Sequence, residues 1–292
     1  MLQVARLAPK ALAEAAPRIE EFLRSQLAPD GGGMDRSGTS DLYYTAFMLD
    51  ALVALSAELP VDAVRPYLLS FGDGAELDLV HRACLVRCWA ALGQGFPDES
   101  FVPNVLEHLG ACRSGDGGFA LEPGREKGTL YDAFLALGIY QDVGQSMPAP
   151  AVLGASFENL RSKDGGFANQ ADLPWGTLPS TAAAVAVLKQ LEMPAPDGIG
   201  QWMLSQLHPK GGFKAMPEAP MPDLLSTATG LHALSMLSVD FTPAVDACLD
   251  YVDTLWSGKS FHGHWADDIL DSEYTFYGLL ALGHLEAAGG AE

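Results

Sequence analysis

Basic residues are scarce. The chain holds 17 Lys and Arg against 37 Asp and Glu, a net charge of −20. So acidic a surface disfavours nucleic acid and anionic membrane, because both reward positive charge; no nucleic-acid partner is expected. It also suits bare diphosphates poorly unless basic groups are concentrated locally. Long apolar runs are missing too: no stretch of about 18 uncharged apolar residues occurs, so no membrane span is expected. Met1 to Lys10 lacks the apolar core and small-residue cleavage site of a secretory signal. Cysteine is sparse, with four in 292 residues. Cys84 and Cys88 share a helix face, but only His81 stands near enough in sequence to join them. They read as small buried apolar residues rather than as metal ligands. A reducing, cytoplasmic setting fits this usage.

What is present is a 48 % hydrophobic composition, ample for a large core,, and a repeat. Glycine turns stand at Asp30–Gly33, Asp73–Gly74, Asp116–Phe119, Asp164–Phe167 and Lys210–Phe213, with a degenerate sixth at Gly258–Phe261. They recur roughly every 40–50 residues, the signature of a repeat architecture. A second marker follows each turn: Asp41 to Thr45, Asp78 to Arg82, Thr129 to Ala133, Thr177 to Thr181, Asp223 to Thr227 and Asp271 to Thr275. Its first residue is always Asp or Thr, whose side chains accept from free amides at a helix start, so these are predicted N-caps.

Apolar segments follow each marker, for example Ala182 to Leu191 and Phe276 to Leu285. A helix apolar on all faces is a buried one. Amphipathic segments such as Pro17 to Leu27 and Val245 to Leu255 lie between them and read as an outer layer. Each repeat is therefore a helix pair. An open solenoid needs polar caps at both ends, yet the last inner helix is as apolar as the middle ones. The expected fold is all-α: one α/α toroid (α6-α6 barrel) of six helix-pair repeats spanning residues 1–292, with inner helices starting near 41, 78, 129, 177, 223 and 271.

The pattern Asp-Gly-Gly-Phe, a loop, Asp/Thr-x-x-x-Thr and an apolar helix resembles the prenyltransferase and squalene-cyclase repeat, from about Gly31 to Leu285. Protein prenyltransferase β subunits are the most similar members in size and repeat number. That resemblance implies a catalytic zinc held by an Asp, a Cys and a His. Here the Asp is Asp223, but the Cys position is Leu225 and the His position is Tyr274, so no metal or other cofactor is expected. The family's diphosphate-clamping Arg and Lys correspond to Met216 and Ala219. Replacement cations are available at Arg36, Arg82, Arg125, Lys127 and Lys214, which read first as solvated surface charges.

A second resemblance, to proton-initiated terpene cyclases, rests on Asp271-Ser-Glu-Tyr-Thr275. It puts Glu273 at the proton-donor position and Asp271 beside it. A carboxylic acid kept protonated in an apolar cavity suits such chemistry; a first-turn acid favourable to the helix dipole is the plainer reading. The string Asp267-Asp268-Ile269-Leu270-Asp271 straddles a loop and a cap, and is not expected to bind magnesium.

Marker residues should face one mouth of the ring and form an aromatic funnel of Tyr43, Tyr44, Phe47, His81, Tyr131, Asp132, Trp175, Leu225 and Tyr274, suited to an apolar ligand. Three functions follow. The first is a prenyltransferase-β-like toroid binding an isoprenoid or similar apolar molecule, with zinc-dependent protein prenyl transfer lost. The second is an acid-initiated cyclase or isomerase using Glu273 and Asp271. The third is a non-enzymatic scaffold for a helical partner subunit or a second copy of the chain.

Overall fold

The computed structural model describes residues 1–171 and 173–289. In chain order its helices are α1 (Leu2–Ala5), α2 (Ala8–Leu12), α3 (Ala16–Ser25), α4 (Leu42–Ala54), α5 (Val61–Leu69), α6 (Leu79–Leu92) and α7 (Phe101–Ala111). They continue with α8 (Leu130–Asp142), α9 (Pro150–Ser156), α10 (Leu178–Gln190), α11 (Ile199–Leu204), α12 (Leu224–Met236), α13 (Val245–Thr254) and α14 (Ser272–Gly289). Among the described residues α4, α6, α8, α10, α12 and α14 pack side by side in that order, and α14 returns to α4. The expected ring is closed. None of these helices is long and apolar enough to cross a membrane.

The caps lie where the sequence puts them. Asp41 accepts from the Tyr43 and Tyr44 amides, Asp78 from His81, Thr129 from Asp132, Thr177 from Ser180, Asp223 from Ser226 and Asp271 from Tyr274. Each answers part of the unmet donor capacity of a helix start. The fifth marker residue does a second job. The fully buried Thr181 and Thr227 hydroxyls accept from the Phe167 and Phe213 amides at 2.9 Å, and Thr45 accepts from Gly33 at 2.7 Å. The glycine turn is thereby pinned to the inner helix of its own repeat. In the second repeat Arg82 fills that place, donating to the Gly74 and Leu77 carbonyls.

The turns need glycine for two reasons. Gly165 and Gly211 adopt left-handed φ values of 97° and 82°, which side chains resist. The next residue lies against an outer-helix aromatic: a Cβ at Gly166 would meet Trp202 at 2.5 Å, and one at Gly212 would meet Tyr251 at 2.5 Å. Crossing loops then lace the ring. Three of them lend a carbonyl to the first amide of the preceding inner helix: Leu130 donates to Asn169, Leu178 to Ala215 (2.7 Å) and Leu224 to Gly263 (2.8 Å). All four cysteines are buried with free thiols.

The sequence reading made nothing of the first turns of the chain. Helices α1 and α2 pack against α14, and α1 also meets α4. Ala5 and Ala8 are fully buried. Val4 sits against Gly283, about 18 Å down α14 from its cap at a rise of about 1.5 Å per residue,. The ring thus has a mouth at its capped end and an N-terminal segment seated at the other.

Candidate functional site

The inner helices are sealed on most faces, but partial exposure recurs along one stripe of each. On α4 it falls at Tyr43, Phe47 and Asp50; on α8 at Tyr131, Phe134 and Gly138; on α14 at Glu273 and Tyr277. Spacing by three and four residues is one helix face. These faces turn inward. Tyr131 on α8 and Tyr277 on α14 stand on opposite sides of the ring, yet both feel Glu273, and Tyr277 also feels Tyr131. Tyr43 feels the same three groups. Phe47 stacks toward Tyr277 and Phe276 at 5.4 and 5.7 Å, and toward Tyr43 at 4.9 Å. An aromatic cluster therefore lines the inner face of the ring at its capped end, referred to below as the lumen. Two shallow depressions lie elsewhere on the surface. One, of about 440 Å³, is lined by Leu69, Asp73 and Asn104; the other, of about 400 Å³, by Arg18, Phe22 and Lys259.

Glu273 is the acid inside this lumen. Its Oε1 accepts from the Tyr43 hydroxyl at 2.7 Å. Burial pushes its carboxyl above the usual range, while Tyr43 pulls it down by bonding the charged form,. Asp271 is held differently. Its Oδ1 caps the Tyr274 amide at 2.8 Å and its Oδ2 takes Arg36 Nε at 2.6 Å. Burial leaves it above the carboxylate range even so. Both oxygens are bound, so Asp271 orients the helix start and anchors Arg36, which also reaches Asp267 at 3.0 Å. The Asp267–Asp271 string is drawn together by a guanidinium.

The other predicted residues divide between lumen and rim. Tyr43, Phe47, Tyr131 and Tyr274 join Glu273, with Tyr274 pushed up to about 12 chiefly by burial. Leu225 is partly exposed on α12. Tyr44 meets Tyr43 edge-on at 5.5 Å, and its carbonyl accepts from Ser272. His81 bridges Asp78 (2.8 Å) and Asp41 (3.3 Å). Burial pulls its imidazole down, but the two carboxylates more than offset this and leave it above its usual value. Asp132 is buried and accepts the Thr129 hydroxyl at 2.8 Å, so it belongs to the α8 cap. Trp175 is 49 % exposed on its crossing loop, at the rim.

Zinc does not fit here. Asp223 accepts the Ser226 amide on one oxygen and the Ser226 hydroxyl on the other, while Leu225 and Tyr274 supply neither thiolate nor imidazole. Among the described residues no three His, Cys, Asp or Glu side chains converge on a metal position.

The sequence reading missed Tyr277 and a polar collar at the far end of the ring. Arg87 lies 3.7 Å from Asp50 and 3.2 Å from Asp142. His232 and His284 pair at 3.0 Å. Burial raises Asp50 to about 6 and lowers His232 and His284 to about 3 and about 4. A signal was available: Asp50, Arg87 and His232 each stand nine residues past their caps, Asp41, Asp78 and Asp223. A polar group at one register of several apolar helices marks a shared inner surface.

A closed ring of six inner helices with turn-pinned repeats defines a class, the prenyltransferase-type toroid. The chain belongs to the prenyltransferase alpha-alpha toroid domain family, whose profile matches residues 69–167 and 181–286. No curated protein sequence matches it. Several solved structures are similar. Protein geranylgeranyltransferase-I of Candida albicans, complexed with GGPP, is 15 % identical with a TM-score of 0.64, over 92 % of this chain and 90 % of that one. A type II terpene cyclase variant from Scytonema, complexed with its substrate geranylgeranyl dihydroxybenzoate, is 14 % identical with a TM-score of 0.68, over 97 % and 99 %. A polysaccharide lyase is 11 % identical with a TM-score of 0.65, over 97 % and 98 %. Likeness at these identities speaks for the fold, and one fold serves several chemistries.

Proposed function

We propose that this toroid binds an isoprenoid or similarly long apolar molecule in its lumen and does not carry out zinc-dependent protein prenyl transfer. The observation that carries this reading is the aromatic cluster at the capped end, where Phe47 lies 5.4 Å from Tyr277 and 4.9 Å from Tyr43, with Glu273 on the Tyr43 hydroxyl as its acid. An aromatic lumen with few polar groups favours a chain of apolar carbons. The similarity to structures solved with geranylgeranyl ligands supports the same class. The Asp223 surroundings argue against zinc. Native mass spectrometry with metal analysis and lipid extraction tests both halves. A co-purifying isoprenoid with less than stoichiometric zinc is expected; stoichiometric zinc sinks the second half, and a lumen that neither retains nor takes up any apolar chain sinks the first.

Glu273 supports a second reading, acid-initiated cyclisation or isomerisation. Its carboxyl, raised by burial, lies among aromatic rings, and a buried carboxylic acid can serve as a proton donor. Its O–H bond would break as a C–H bond forms on the ligand's double bond. Loss of a proton from the resulting cation would restore a double bond, and the carboxylate would be reprotonated. Glu273→Gln keeps the shape and removes the acid; undiminished turnover of a polyprene by that variant rules the reading out.

A further inference from the structure

The charges around the mouth say what kind of head group it accepts. Five basic side chains there are engaged. Arg36 is held by Asp267 and Asp271. Arg82 is buried against carbonyls of its own loop. Arg125 pairs with Glu122, Lys214 donates to the Pro217 carbonyl, and His81 lies between Asp78 and Asp41. The acids facing them are Asp41, Asp78, Asp223, Asp271 and Glu273. A diphosphate would add negative charge beside Glu273, and a cation drawn to it would leave its own carboxylate unpaired.

Inside the lumen the one ionisable acid with an oxygen still unmet favours the opposite sign, and the phenols beside it can bond either sign,. Glu273 Oε2 has no hydrogen-bond partner among the described residues, its Oε1 being taken by Tyr43. The Tyr131, Tyr274 and Tyr277 hydroxyls have none either, and Tyr277 is sunk deep in the ring yet still partly exposed to the lumen. Phenol oxygens accept from N–H donors. Aromatic rings attract cations. A carboxylate with a free oxygen completes a charge-assisted bond to an ammonium.

We propose that the mouth selects an apolar chain ending in a protonated amine and turns away isoprenyl diphosphates, with Glu273 as the anion that receives the ammonium. This names the ligand class of the lumen described above and rests on that reading.

Three probes with one carbon chain separate the two claims: geraniol, geranylamine and geranyl diphosphate, titrated calorimetrically into the purified protein at neutral pH. Geranylamine is expected to bind about ten-fold tighter than geraniol, and geranyl diphosphate about ten-fold weaker. Glu273→Gln is expected to shrink the amine's advantage over geraniol to less than about two-fold. Should that variant not fold, salt serves instead: the amine's advantage should shrink as sodium chloride rises to about 0.5 M, where charges are screened. A diphosphate that binds as tightly as the alcohol overturns the proposal. So does an amine without advantage, or an advantage indifferent both to Glu273→Gln and to salt. Silence from all three probes is a different failure, since it removes the lumen reading itself and this proposal with it.

Discussion

The Tyr43 hydroxyl donates to Glu273 Oε1 at 2.7 Å, joining the first inner helix to the last where the ring closes. The bond opposes burial, because it favours the carboxylate that burial disfavours,. Tyr43→Phe removes the donor and keeps the ring, so the Glu273 carboxyl should stay protonated to higher pH. The other groups around it are Asp271 at the cap, Tyr274 and Tyr277 on its own helix, and Arg36, Tyr44 and Tyr131 from elsewhere in the ring. Infrared difference spectra against Glu273→Gln isolate its protonated C=O band. In Tyr43→Phe that band should persist to higher pH than in the wild type; a coincident titration would show that the bond does not govern the acid.

The turn-pinning threonines make a prediction about stability. Thr227→Val preserves volume but leaves the buried Phe213 amide without its acceptor. An orphaned buried donor costs about 1–3 kcal/mol. Thr227→Ser retains the oxygen and should lose distinctly less. Urea denaturation of the two variants measures the difference, and equal losses would mean that the methyl group, not the hydroxyl, holds the turn.

The same threonines show where sequence reading stops. Each cap residue acts within four positions of itself, so Asp41, Asp78, Thr129, Thr177, Asp223 and Asp271 were legible as caps. The partner of Thr227 lies fourteen residues upstream, and no local propensity signals it. The closed ring was legible because the last inner helix has no polar face. Glu273 and Tyr131 were legible because they flank caps, whereas Tyr277, one turn further on, is indistinguishable in sequence from the core residues around it. Arg36 was named as a cation without its partners, because Asp271 lies 235 residues away. Helices α1 and α2 are too short for a periodic signal, and only their contacts reveal them.

Asp50 predicts a pH effect with a definite sign. Burial raises its carboxyl to about 6 from an ordinary 3.8, although Arg87 opposes the shift and Asp142 adds to it. A raised acid favours folding while it is protonated, so this contribution is complete below the unfolded value and lost as pH climbs through the folded one. Asp50→Asn removes the titration. Its stability relative to wild type should therefore improve by about 2 kcal/mol between pH 4.5 and 7.5. Denaturant melts at both values test this; a constant difference would mean that Arg87 keeps Asp50 ionised throughout.

Gly283 controls the seat of the N-terminal segment. A Cβ there would run into the Val4 carbonyl and press on Ala5. Backbone atoms cannot swing aside as a flexible side-chain end can, so α1 must lift from α14. Overpacking of this kind costs about 1–3 kcal/mol. The loss should fall on α1 and α2 rather than on the ring, whose helices are joined through other faces. Gly283→Ala should therefore speed tryptic cleavage at Arg6 and Lys10 and remove amide-exchange protection from Val4 to Ala8, while the ring still unfolds in one cooperative transition. Cleavage at the wild-type rate would mean that α1 accommodates the methyl group in place. Coincident loss of protection across α4, α6 and α14 would make the segment part of the ring's cooperative core.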